Sequence, residues 1–229
     1  MTTPQILETR FVATDSAGEV TGVLVRPDGA RALYVFGHGA GAGMRHAFME
    51  AASEELAARG VATFRYAFPY MEQGKKAPNP APILMKTVRS AVSEATRLAP
   101  ELPLLAGGKS MGGRMTSMAA AKTPLPGVQG LVFFGFPLHG AGKAPNAERG
   151  AHLADVGLPM LFLQGDRDKL ADLDLLRPLL ATVRPAPVLQ VEEGADHGFH
   201  VLKRSGRTDE EVLASLCDGV SRWVDRLAG

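Results

Sequence analysis

Residues 108–112 read Gly-Lys-Ser-Met-Gly, a serine with a glycine two places away on each side. Near neutral pH a serine hydroxyl is a poor nucleophile. It needs an imidazole to take its proton and a carboxylate to hold that imidazole in one tautomer. Both partners stand further along the chain. Asp166 and Asp168 close the stretch Leu-Gln-Gly-Asp-Arg-Asp at 163–168, and His197 lies in Gly-Ala-Asp-His-Gly-Phe at 194–199. The order serine, acid, histidine suits a nucleophile presented on a sharp strand-to-helix turn, and either aspartate satisfies it.

The same Gly-Gly-Lys-Ser would also end a phosphate-binding loop. That pattern needs its first glycine where this chain has Pro103, which has no N–H to offer an anion. Residues 102–106 are apolar and strand-like, leaving no room for a loop, whereas the serine turn requires a short buried strand running straight into a helix. Side chains at 108 and 112 would clash across that turn, and both are glycine. The nucleotide reading fails on these residues.

The rest of the chain alternates around these motifs. Residues 6–13 and 19–26 read as strands joined by a hairpin turn at 15–18, and 33–36, 61–66, 102–106, 131–136, 160–164 and 188–191 as short strands. Helices are expected at 45–59, along the stripe Leu84, Val88, Ala91, Ala95 and Leu98, after Ser110, and at 175–183 despite Pro178. A last helix carries Leu213, Leu216, Val220, Trp223 and Leu227 on one side. Strands alternating with helices predict an α/β fold, a mainly parallel sheet covered on both faces, in one domain over 1–229. Segments 67–82 and 137–159 are irregular.

The 25 basic and 24 acidic residues leave a net charge of +1, so no global field favours nucleic acid. No apolar run approaches the ~20 residues of a membrane helix, and the N-terminal MTTPQILETRF has no export pattern. Cys217 is the single cysteine, which excludes an intrachain disulfide. His197 and His200 lack the carboxylate pattern of a zinc site. The expectation is a cytoplasmic protein that acts on a small molecule, needs no cofactor or metal, and binds neither nucleic acid nor membrane. Its oligomeric state leaves no mark in the sequence.

Five stretches, FGHGAGAGM, RYAFPYME, GGKSMGGR, FPLHGAGK and FLQGDRD, carry a resemblance to the α/β-hydrolases that covers essentially the whole chain. More narrowly the chain resembles their small, capless, dienelactone-hydrolase-like branch, which includes a testis-expressed protein and a subunit of a histone acetyltransferase complex. The resemblance implies an eight-stranded sheet whose second strand is antiparallel, a Ser110–His197–acid triad, and no cap domain. The acid of this fold sits fourth in a Gly-x-x-Asp turn, which selects Asp168 over Asp166. Two backbone N–H groups are expected to hold the oxyanion, those of Met111 and Ala40, with Gly41 as the alternative to Ala40. The activity implied is hydrolysis of a small ester, thioester or lactone; the alternative is an interaction module that keeps the fold without turnover.

Around the serine a shallow pocket is expected, walled by 67–82, with Phe68, Tyr70 and Met71, and by 137–158, with a short helix at 146–153 and with His139 either bordering the pocket or holding a surface or structural role. His38 is expected to be structural and Asp196 to shape a turn. Lys109, Arg114 and Arg65 either attract an anionic substrate or form buried ion pairs beneath the turn.

Overall fold

The computed structural model of the protein describes residues 3–228. Met1, Thr2 and Gly229, the ends of the domain expected over 1–229, lie outside the described residues. Eight strands form one sheet in the order β1-β2-β4-β3-β5-β6-β7-β8. They are β1 (Gln5–Thr14), β2 (Gly18–Arg26), β3 (Ala32–Gly37), β4 (Val61–Tyr66), β5 (Leu104–Lys109), β6 (Val128–Phe134), β7 (Met160–Gly165) and β8 (Val188–Glu192). Only β2 runs against its neighbours, β1 and β4; every other adjacent pair is parallel. The helices are α1 (Ala47–Ala58), α2 (Pro69–Glu72), α3 (Ala81–Leu98), α4 (Met111–Lys122), α5 (Leu173–Ala181) and α6 (Asp209–Ala228).

The two-residue period of the strands explains the layering. Leu33, Val35, Leu131, Phe133, Met160 and Phe162 pack on one face against Leu84 and Val88 of α3, Met115 of α4 and Leu176 of α5. Tyr34, Phe36, Val132, Phe134, Leu161 and Leu163 alternate with them onto the other face, against Met49 and Leu56 of α1 and Leu216, Val220 and Trp223 of α6. Burying each such side chain is worth about 1.5–3 kcal/mol over leaving it exposed. These two layers clamp β5 between β3 and β6, and β5 ends at the serine.

Several boundaries differ from the sequence reading. β5 continues through Gly107 and Gly108 to Lys109, because pairing with β3 and β6 supplies the backbone bonds that the glycines do not advertise. β6 ends at Phe134, not Phe136, since Gly135 (φ +67°) turns the chain out of the sheet. Helix α5 starts at Leu173, where the Asp172 carboxylate caps the Asp174 N–H at 2.8 Å, and it keeps Pro178 inside. The short helix expected at 146–153 is a 3-10 helix at Glu148–Asp155. No cap domain stands between β6 and β7. No helix among the described residues is long and apolar enough to cross a membrane.

Candidate active site

Ser110 joins β5 to α4 with φ 50° and ψ −114°, a backbone conformation that is costly for any residue with a side chain. It is held from both sides. Its N–H donates to Phe134 O at 3.0 Å, the last rung of the sheet, and its carbonyl accepts from Arg114 N–H at 3.1 Å, the first turn of the helix. Added Cβ atoms at Gly108 and Gly112 would stand 2.3 and 2.2 Å from the same oxygen, Gly37 O. A side chain at either position would pry α4 off the strand ends.

His197 lies in the loop after β8, with Nε2 2.8 Å from Ser110 Oγ and Nδ1 2.7 Å from Asp168 Oδ2. The Asp168 side chain is 0% exposed. An ionised carboxylate only accepts, so Nδ1 carries the proton and Nε2 is free to accept from the serine hydroxyl. Asp168 also accepts from Leu170 N–H at 2.7 Å and from Gln164 Nε2 at 2.5 Å, while Gln164 Oε1 accepts from Phe136 N–H at 3.0 Å. Three donors offset the burial of that carboxylate and fix its plane. Asp166 turns elsewhere and accepts from Gly194 N–H at 2.8 Å, tying the β7 and β8 loops together. Asp196 accepts from Gly198 and His200 N–H groups, closing the turn that carries His197.

Beneath the serine, Lys109 Nζ donates to His197 O at 2.5 Å and lies 5.8 and 5.2 Å from the ring centres of Phe48 and Phe199. Burial pushes its ammonium down to about 8. Arg65 makes the expected ion pair, with Glu50 at 3.6 Å, and donates to Met44 O. His38 is structural: Nδ1 donates to Gly39 O at 2.7 Å, Nε2 accepts from Phe68 N–H at 3.1 Å, and burial pushes the imidazole down to about 4. Cys217 is buried on α6, its thiol pushed up to about 12 by burial. Among the described residues no group of three or more His, Cys, Asp or Glu side chains is placed to hold a metal ion.

A cavity of about 380 Å³ opens beside Ser110, with Ala40 and Met111 on its wall. The Met111 N–H is an orphan of the helix start, and the Ala40 N–H has no backbone acceptor. Gly41 differs: Tyr70 Oη accepts its N–H at 2.9 Å, so that donor is taken. The two expected segments do wall the cavity, through Pro78 and Asn79 from one and Pro137 and Arg149 from the other. The individual residues expected there do not. Phe68 and Tyr70 are both 0% exposed, because the segment expected to be irregular forms α2 there, with Phe68 as its N-cap, and an aromatic ring gains more by sinking into the core than by lining a wet cleft. Met71 packs toward Gly43, and buried His139 donates from Nδ1 to Gly140 O at 3.1 Å. Sequence reading missed Gln164, Asn79 and Arg149. For Gln164 a signal existed, an amide in an otherwise apolar strand.

Residues 30–225 match the family described as an alpha/beta hydrolase domain. Among solved structures, a dienelactone hydrolase from Anabaena variabilis is 21% identical with a TM-score of 0.76, over 98% of this chain and 99% of that one. A serine hydrolase without a lid from Xanthomonas campestris is 19% identical, with a TM-score of 0.74, over 96% and 95%. The esterase domain of a Rhodothermus marinus protein is 16% identical, with a TM-score of 0.72, over 97% and 98%. At these identities the likeness is one of fold.

Proposed function

The chain belongs to the α/β-hydrolase family, and from that premise we propose that it is a serine hydrolase cleaving a small ester, thioester or lactone by acyl transfer. Ser110 Oγ attacks the carbonyl carbon as its proton passes to His197 Nε2. The carbonyl oxygen becomes negative between the N–H groups of Met111 and Ala40, where the dipole of α4 also favours it. The bond to the leaving oxygen or sulfur breaks, and that atom takes the proton from Nε2. Water then attacks the acyl-serine and gives a proton to Nε2; the acid departs and Ser110 regains its hydrogen. Asp168 keeps the imidazole oriented and stabilises its charged form without taking the proton.

The observation that carries this reading is the unbroken series Ser110–His197–Asp168 at 2.8 and 2.7 Å. The reading includes one cytoplasmic domain, no cofactor, and membership of the branch resembling the testis-expressed and histone acetyltransferase complex proteins, which the five quoted stretches support. The test is covalent labelling by a fluorophosphonate directed at activated serines. Labelling of the parent and not of Ser110→Ala is expected. An unlabelled parent returns the fold to the interaction-module alternative.

A further inference from the structure

Among the described residues, four buried side-chain polar atoms have no hydrogen-bond partner. Two of them, Arg114 Nε and Asn79 Oδ1, belong to residues on the wall of the cavity beside Ser110. A second guanidinium shares that wall: Arg149 gives one N–H to His139 O at 3.0 Å and passes close to Gly140. No Asp or Glu lines the cavity, and among the described residues neither arginine meets a carboxylate. Elsewhere Arg59, Arg65 and Arg207 each do, with Glu55 and Asp218, Glu50, and Glu192.

Arg114 and Arg149 are half-buried, a charge withdrawn from water without a partner is costly, and here two like charges share one wall. Burial, and then the neighbouring Arg149, hold the Arg114 guanidinium below its ordinary value. His152 gives no relief, since burial and Arg114 push its imidazole down to about 4 and it bonds Ser117 Oγ instead. An oxyanion from outside would supply what both guanidiniums lack, through paired N–H···O bonds. The Asn79 amide has no other tie and can turn its NH₂ toward the same group.

We propose that Arg114, Arg149 and Asn79 form an anion subsite, so that the ester, thioester or lactone cleaved at Ser110 carries a carboxylate or phosphate on one arm. This rests on the hydrolase reading above. Arg114 follows Ser110 by four residues, with the bond from its N–H to Ser110 O closing that turn. Four residues of helix rise about 6 Å, so the anion sits a short carbon chain away from the carbonyl under attack.

The test compares kcat/KM for 4-nitrophenyl hydrogen glutarate with that for the neutral 4-nitrophenyl hexanoate, in the parent and in Arg114→Gln, Arg149→Gln and the double variant. Circular dichroism confirms folding in each. The anionic-to-neutral ratio should fall by about tenfold or more per arginine, mainly through KM, and salt should erode the parent's preference. A second arm needs no turnover: Ser110→Ala protein is titrated with glutarate and with inorganic phosphate by calorimetry. Binding that disappears when Arg114→Gln and Arg149→Gln are added supports the subsite, and whichever anion binds identifies the group. No binding of either at millimolar concentration, or binding unchanged by the arginine substitutions, overturns it. An anionic-to-neutral ratio unaltered in the double variant overturns the substrate class. If neither ester turns over and the fluorophosphonate fails, the hydrolase reading falls, while the calorimetry still decides the subsite.

Discussion

Two walls meet at Ser110. On the side of β7 and β8, Asp168 has three donors, Gln164 bonds through both ends of its amide, Asp166 and Asp196 knit their loops, and Lys109 grips the backbone of His197. On the side of α4, the 67–82 segment and the 135–159 excursion, Arg114 Nε and Asn79 Oδ1 have no partner, and Arg149 has only a loop carbonyl. The first wall is finished before anything binds, as electrostatic preorganisation for proton transfer requires. The second is unfinished and leaves guanidinium and amide groups without a protein partner. On the proposed reading, chemistry and selection are built on opposite terms, rigid satisfaction against standing demand.

The sharpest way to break this contrast is to remove the nucleophile. Ser110→Ala should cost between about 10³- and 10⁶-fold in kcat on an activated ester with the protein still folded; undiminished turnover would leave the finished wall without a purpose. Next comes the carboxylate. Asp168→Asn should lower kcat by about 10²- to 10⁴-fold, because the imidazole loses its orientation, while Asp166→Asn, which at most weakens a loop tie, should cost less than about tenfold. The reverse order in steady-state kinetics would mean that the wrong aspartate has been assigned.

Stability separates the walls as well. Gln164→Leu strands the Phe136 N–H and removes a donor from Asp168, and should cost about 1–3 kcal/mol in urea unfolding. Arg114→Leu removes an unpartnered charge and should leave the midpoint unchanged or raised. A marked loss there would show that the arginine holds the fold after all. Lys109→Met should slow kcat by about tenfold as His197 loosens. It also carries a pH signature. The folded Lys109 value, near 8, lies below the ordinary 10.5, so between those limits the unfolded chain binds more protons and stability rises with pH. Relative to Lys109→Met, the parent should gain stability from pH 8 to 10.5, and flat parallel curves would discard the buried ammonium. The smallest effect concerns reach. In a series of 4-nitrophenyl esters below their micelle-forming concentrations, each CH₂ adds at most ~0.8 kcal/mol of burial, and the gain in kcat/KM should stop after a few carbons. A steady climb to long fatty chains would reveal an apolar tunnel.

The finished wall was also the legible one. Ser110, Asp168 and His197 stand where strands end, and strand ends announce themselves by apolar runs breaking into Gly and Asp. The partners of Asp168 and the fate of Lys109 depend on which loops meet, which one-dimensional periodicity does not encode. On the unfinished wall the segments were readable from their length and prolines, but their residues were not. Aromatic character drew attention to Phe68 and Tyr70, which the core absorbs, while Asn79 and Arg149, ordinary residues in irregular stretches, line the cavity. The backbone donors divide in the same way: Met111 follows from its place after the serine, but only the Tyr70 hydroxyl on Gly41 separates Gly41 from Ala40.

The crowding of Gly37, Gly108 and Gly112 at the turn has a consequence for descent. A knot that admits no added carbon fixes the nucleophile's backbone against nearly every substitution. Asn79 and Arg149 on the cavity wall instead hang on excursions between strands, where exchanging one side chain for another disturbs little of the sheet. On the proposed reading, substrate preference can therefore change by point substitutions near positions 79 and 149 while the backbone that presents Ser110 is kept.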